Sequence, residues 1–227
     1  MASSVASSPV LIRCKGVLFD MDGILISSLG SVERSWTKWA RMRGIDPVYA
    51  ISIAHGRRAI ETVAHLRPDL DSVAELKVIE DLEIEDNEDL TVLPGVLGLL
   101  AALPKGSWTV VTSATERLAR VRLAQGGIPV PEHIITADQV RLGKPNPEPF
   151  LAGAALLGIP PEQCVVFEDS SSGASAGRAA GCTVVATTFS HSVESLADAH
   201  YLVSDLRDVR VEQQCDGLAI HLTPLVF

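Results

Sequence analysis

Val17-Leu18-Phe19-Asp20-Met21-Asp22-Gly23 runs three apolar residues straight into two carboxylates one residue apart. A short apolar run that stops so abruptly reads as a strand buried on both faces, the kind found in parallel sheets. In an extended segment, side chains at i and i+2 point the same way, so Asp20 and Asp22 can face one site. Two carboxylates placed together repel unless a cation or a shared proton compensates. Taken alone, the pair fits equally an Asp-rich turn in which Asp22-Gly23 merely reverses the chain.

Working outward, the same pattern recurs. Trp108-Thr109-Val110-Val111 runs into Thr112-Ser113, Ile134-Ile135 precedes Thr136, Val165-Val166-Phe167 runs into Glu168-Asp169, and Thr183-Val184-Val185-Ala186 precedes Thr187-Thr188. Helical patterns lie between them. Gly95 to Leu103 is one, and Glu116 to Gln125 is another, closed by Gly126-Gly127. Pro147 to Leu157 is expected to open with Asn146 as N-cap and Pro147 at the first helical position, and Ser172 to Ala180 to close at Gly181. Strands alternating with helices predict an α/β fold, a doubly wound parallel sheet with right-handed crossovers. In such a fold reactive groups collect outside the carboxyl ends of the strands, where the polar residues above stand.

The gap from Asp22 to Trp108 is far longer than a crossover needs. It reads as helices over Val32 to Arg43, Arg57 to Leu66 and Ser72 to Glu85, with the Pro47 region between. We expect a small helical unit, 28–89, inserted after the first strand into a core made of 13–27 and 90–227, with a flexible segment 1–12 ahead. The acids in and after the last of these helices (Glu80, Asp81, Glu83, Glu85, Asp86, Glu88, Asp89) are expected to form a solvated face. At the far end, Val209 to Gln213 and Leu218 to Leu222 flank Cys215-Asp216-Gly217 and predict a terminal β-hairpin. No repeats or low-complexity segments interrupt the chain.

The 227 residues carry 47% hydrophobic and 21% charged residues, an ordinary balance for a soluble enzyme. A net charge of −9 excludes nucleic acid or an anionic membrane as the main partner. It also means that an anionic substrate would need a local positive device, and a bound divalent cation would supply one. Cys14, Cys164, Cys182 and Cys215 are far apart with no CxxC pair, which points to reduced thiols in a cytosolic protein. Met1 to Pro9 holds no apolar run of signal-peptide length, and no stretch of 18 apolar residues exists. A soluble, cytoplasmic protein is expected.

Four fragments carry chemistry. Asp20 and Asp22 form an acid pair. Thr112-Ser113 offers a hydroxyl and backbone N–H groups that suit phosphate oxygens, though either residue also fits a helix cap. Gly143-Lys144-Pro145-Asn146-Pro147 holds a lysine in a proline-stiffened loop, and a fixed ammonium suits a phosphoryl group. Glu168-Asp169-Ser170 puts two more acids at a strand end, able to complete an oxygen-ligand set for Mg²⁺ with Asp20. Each fragment has a structural reading on its own. Their order, and their shared place at one end of the sheet, favour the chemical one.

In this order the fragments resemble the four motifs of the haloacid dehalogenase superfamily: DxDG after the first strand, Thr or Ser after the second, a Lys before a helix, and an acidic pair after a later strand. The resemblance runs from Lys15 to about Val211. It is strongest to the subgroup of sugar phosphatases, 2-deoxyglucose-6-phosphate phosphatases and glycerol-phosphate phosphatases, through Ala54-His55-Gly56-Arg57-Arg58, Leu93-Pro94-Gly95-Val96, Ile135-Thr136-Ala137-Asp138-Gln139-Val140 and Gly143 to Pro149. Ser27, Ile24 and Ala114 depart from the usual Asp, Thr or Val, and Gly. None of them carries the chemistry.

The resemblance implies an α-helical cap over a Mg²⁺ site. Asp20 would be the nucleophile and Asp22 the acid and base. The metal would be held by Asp20, Asp22 through its carbonyl, and Asp169, with Glu168 beside or among the ligands. Thr112 and Lys144, with Gly23, Ser113 and Ala114, would face the phosphoryl group. In the cap, His55, Arg57 and Arg58 are candidates to reach the substrate, a small sugar or polyol monophosphate. A surface patch at a helix start explains them as well. Glu33, Trp36 and Trp39 could line the pocket, although Trp36 and Trp39 at i and i+3 read better as a packed face. A monomer or weak homodimer is expected. A sugar phosphomutase of the same fold, and a non-catalytic phosphometabolite-binding protein, are the rival readings.

Overall fold

The computed structural model describes residues 8–54 and 57–225. The first strands are β1 (Val10–Cys14), β2 (Gly16–Phe19) and β3 (Ile26–Ser27). Helices α1 (Leu29–Met42), α2 (Pro47–Ala54), α3 (Ala59–Leu66) and α4 (Ser72–Glu85) follow, and β4 (Thr91–Val92) ends the insertion. The chain continues through α5 (Val96–Ala102), β5 (Trp108–Val110), α6 (Glu116–Gln125), α7 (Glu148–Leu157), β6 (Cys164–Glu168), α8 (Ser171–Ala179), β7 (Thr183–Thr187), β8 (Tyr201–Val203), β9 (Val209–Gln214) and β10 (Gly217–Leu222).

The main sheet is five parallel strands in the order β5-β2-β6-β7-β8. Every residue of β2 is buried, as the unbroken apolar run requires. Its side chains alternate between two cores. Val17 and Phe19 face α5, α6 and the small terminal sheet, while Leu18 packs with Phe150, Ala154 and Ala174 of α7 and α8. The sheet is thus covered on both faces, and its carboxyl edge remains open for a site.

Several expectations are corrected. Ile134-Ile135 is too short to form a strand; Ile135 makes only a bridge to Val111 beside β5. The Pro47 region is a helix, α2. The edge strand β8, only half-buried, was not expected. Pro147 stands in the cap position of α7, while Asn146 Oδ1 still accepts from the Glu148 N–H at 3.0 Å. Of the segment 1–12 expected to be flexible, Val10 to Ile12 belong to β1, paired antiparallel with β10. Met1 to Ser7 lie outside the described residues. The expected hairpin is β9 and β10, joined by β1 into a three-stranded sheet.

The helical insertion leaves and re-enters the core through β3 and β4, which pair antiparallel at Ile26↔Val92 and Ser27↔Thr91. It has a core of its own, built of Trp36, Trp39, Ala40, Ala50, Val63 and Ile79. Trp36 and Trp39 meet edge to face at 5.4 Å, so they are packing residues as their spacing suggested. The Trp39 indole and the Arg43 guanidinium both donate to Glu75 at 2.7 Å.

The solvated-face reading holds for Glu85, Glu88 and Asp89, which are exposed, and fails for Glu80 and Glu83. Glu80 and Glu83 are buried against α6. Arg117 donates to Glu80 at 2.6 Å and to Asp81 at 2.7 Å, and Arg122 donates to Glu83 at 3.1 Å. The counterions come from a helix more than thirty positions along the chain, so the local run of acids gave no hint of them. Among the described residues no helix is long and apolar enough to cross a membrane.

Candidate active site

The fold brings all four chemical fragments to the carboxyl edge of the sheet. Asp20 follows β2, Thr112 follows β5, Asp169 follows β6, and Lys144 comes from the loop before α7. All four are buried. Lys144 Nζ donates to Asp20 Oδ1 at 2.6 Å, to Glu168 Oε1 at 2.5 Å and to the Val111 carbonyl at 3.3 Å. Glu168 Oε2 accepts the backbone N–H groups of Asp169 and Ser170, each at 2.8 Å, and the Ser170 hydroxyl at 2.9 Å. Both oxygens of Glu168 are therefore engaged within the protein. Asp169 accepts from Ser190 Oγ, a partner that the sequence did not suggest.

Carboxylate oxygens of Asp20, Glu168 and Asp169 lie within 4.8 Å of one another. Three buried acids share one ammonium. Burial pushes the Asp20 carboxyl up to about 7; Lys144 opposes this, and the Glu168 carboxylate adds to it. Asp169 is raised well above the ordinary carboxylate range, first by burial and then by Glu168 and Asp20. Burial acts on Glu168 in the same direction, but Lys144 and the backbone N–H groups outweigh it and hold its carboxyl low. For Lys144, burial works against the charge, and Asp20 and Glu168 more than offset it. The cluster thus has a firmly charged Lys144–Glu168 pair and two further acids with no cation of their own. Such a donor set fits a hard divalent cation such as Mg²⁺, which prefers oxygen ligands.

Gly23 has φ +86°, and a Cβ there would lie 1.8 Å from Asp169 Oδ2. Its contribution is clearance for Asp169. Gly173 gives Glu168 the same room, since a Cβ would stand 1.7 Å from Oε1. Thr112 Oγ1 accepts the Ala114 N–H at 3.1 Å, which shapes the turn that carries Ser113 past the strand end.

Asp22 joins this cluster on the wall of one cavity. Its Oδ1 accepts from Ser28 Oγ at 2.6 Å and from Arg122 Nη1 at 2.9 Å, and its side chain remains 30% exposed to a cavity of about 250 Å³. The cavity lies between the sheet edge and the insertion. Asp20, Asp22, Thr112, Ser113, Ala114, Lys144, Glu168 and Asp169 line it from the core, with Trp36, Arg57, Arg58 and Glu83 from the insertion.

Of the basic cluster expected to reach the substrate, His55 lies outside the described residues. The Arg58 guanidinium is taken up by Glu61 and by the carbonyls of Val140 at 3.0 Å and Arg141 at 2.8 Å, so it docks the insertion onto the loop before Lys144. Arg57 is exposed at the rim and pairs with no carboxylate among the described residues. Glu33 is exposed and is not part of the cavity wall.

Arg122 was missed, although the sequence held a signal. Leu118, Ala119, Arg122 and Leu123 are the buried face of α6, and an arginine inside an apolar stripe implies a buried partner.

Residues 14–181 match the model of the haloacid dehalogenase-like hydrolases. The chain belongs to that family. It is 40% identical to hexitol phosphatase A of Escherichia coli K12 over 90% of this chain and 97% of that protein. It is 32% identical to glycerol-1-phosphate phosphohydrolase 2 of Saccharomyces cerevisiae over 91% and 88% of the two. A hydrolase from Pseudomonas syringae shares the fold with a TM-score of 0.76 at 24% identity, over 86% of this chain and 95% of that one. These relatives, aligned over about nine-tenths of this chain, set this member of the family among its sugar and polyol phosphatases.

Proposed function

We propose that this chain hydrolyses small sugar or polyol monophosphates through a phosphoryl group carried on Asp20, with Mg²⁺ as cofactor. The observation that carries the reading is the buried cluster of Asp20, Glu168 and Asp169 around the single ammonium of Lys144, with Asp22 on the wall of the same cavity. The names of the two relatives above support the substrate class.

Asp20, Asp169 and the main-chain carbonyl of Asp22 would hold Mg²⁺, with Glu168 acting through Lys144 because its own oxygens are engaged. When bound, the cation offsets the repulsion between carboxylate and phosphoryl oxygens. Lys144 fixes Asp20 Oδ1 and so aims the carboxylate at phosphorus. Asp20 then forms the new O–P bond as the bond to the leaving oxygen breaks. The Lys144 ammonium and the N–H groups after Thr112 hold phosphoryl oxygens as charge shifts. Asp22 gives its proton to the departing alkoxide and takes one from the water that frees Asp20.

Asp20→Asn tests this directly. Phosphate release from p-nitrophenyl phosphate in Mg²⁺ is expected to fall by about a thousandfold or more, with the melting profile of a folded protein retained. Turnover near the wild-type rate would rule out Asp20 as nucleophile.

A further inference from the structure

In the same cavity, Arg122 and Glu83 form a pair to which the phosphoryl chemistry above gives no role. Arg122 is 2% exposed and Glu83 7%. They join core helix α6 to α4 of the insertion at 3.1 Å, and Arg122 also holds Asp22 at 2.9 Å. Docking alone does not call for this pair. Arg117 already ties the two helices through Glu80 and Asp81, with half of its side chain in solvent. Glu83 and Arg122 face inward and line the cavity, whose neighbouring wall is apolar: Leu29, Val32, Trp36 and Ile79.

We infer that Glu83 and Arg122 form the specificity subsite of this enzyme, reading a hydroxyl on the carbon next to the phosphate ester. The inference rests on the phosphatase reading, because it takes Asp22 as the acid beside the leaving oxygen. With that oxygen within hydrogen-bond reach of Asp22, the adjoining carbon comes over the residues touching Asp22, which are Ser28 at 2.6 Å and Arg122 at 2.9 Å. A guanidinium N–H and a carboxylate 3.1 Å apart present a donor and an acceptor together. A hydroxyl matches both, since it accepts from one and donates to the other. A substrate lacking the hydroxyl would leave buried polar groups without their partner, and sites built this way reject deoxy analogues strongly. The substrate class is therefore a monophosphate with a vicinal hydroxyl.

The test compares kcat/KM for glycerol 1-phosphate with that for propane-1,3-diol monophosphate, the same chain without the central hydroxyl. The wild type is expected to favour the first by about 10- to 100-fold. Glu83→Ala should bring the ratio to within about threefold of one, while Glu83→Gln, whose amide oxygen still accepts, keeps most of it. Should Glu83→Ala fail to fold, Arg122→Lys is read in the same way, since lysine keeps a cation beside Asp22 but loses the second nitrogen that reaches Glu83. A wild-type ratio near one, or a folded Glu83→Ala (or Arg122→Lys) protein that keeps the full ratio, overturns the subsite. A wild type that cleaves p-nitrophenyl phosphate but neither alcohol phosphate overturns the subsite and the polyol reading together. A wild type inert toward all three overturns the phosphatase reading itself.

Discussion

At the carboxyl edge of the sheet, Asp20, Glu168 and Asp169 share one ammonium, whereas along α4 the buried acids Glu75, Glu80 and Glu83 each meet an arginine: Arg43, Arg117 and Arg122. Both regions take carboxylates out of water, which is costly unless the charge is matched. In α4 the match is internal, and the acids serve docking and the inner face of the cavity. At the sheet edge the match is incomplete, and the shortfall is what a divalent cation would fill. Burial alone does not distinguish a metal site from a structural network; the inventory of counterions does.

The sharpest way to break this contrast is to remove the one ammonium. Lys144→Met in EDTA is expected to cost about 3–5 kcal/mol in urea unfolding, because it leaves buried acids without a cation. Turnover of p-nitrophenyl phosphate in Mg²⁺ should fall about a thousandfold. A variant as stable and active as the wild type would mean that the sheet-edge acids need no compensation.

Glu75→Ala should be smaller and purely structural. It strips Trp39 and Arg43 of their shared acceptor, at about 2–3 kcal/mol of stability. Once folded, its dependence on Mg²⁺ should match the wild type, and a changed dependence would join the two regions that the counterions separate.

The smallest effect is in pH. Unfolded carboxyls titrate near 4, but folded Asp20 and Glu83 do so at about 7. Between these values the folded chain binds more protons than the unfolded one, so stability in EDTA falls as pH rises from about 4.5 to about 7. The melting temperature should drop by a few degrees over that interval. Mg²⁺ should restore the part that belongs to the sheet edge, and Glu83→Gln the part that belongs to α4. A melting temperature that climbs across that interval would refute the assignment of both groups.

The sheet and the core motifs were legible because a strand buried on both faces leaves an unbroken apolar run, and the polar residue that ends it marks the site. The order of the fragments and their shared place at one end of the sheet brought Asp20, Thr112, Lys144 and Asp169 together. The contents of the insertion were less legible. Glu80 and Glu83 looked solvated because a row of acids says nothing about which helix will cover it. Arg58 looked free for a substrate because its acceptors, the carbonyls of Val140 and Arg141, are backbone atoms that no side-chain pattern announces. Tyr201-Leu202-Val203 was passed over as a strand because a half-buried edge shows neither a continuous run nor a clean alternation.

The pairing of β1 with β10, from Val10↔Leu222 to Cys14↔Leu218, joins segments more than two hundred positions apart in the chain. While the polypeptide is being translated, β1 lacks this partner, and its unpaired backbone must wait until everything between the two strands has emerged. Closing so distant a contact is slow compared with forming a helix. The little terminal sheet should therefore be among the final pieces to lock, and premature termination anywhere before Gly217 would leave an uncovered strand ready to pair with another molecule.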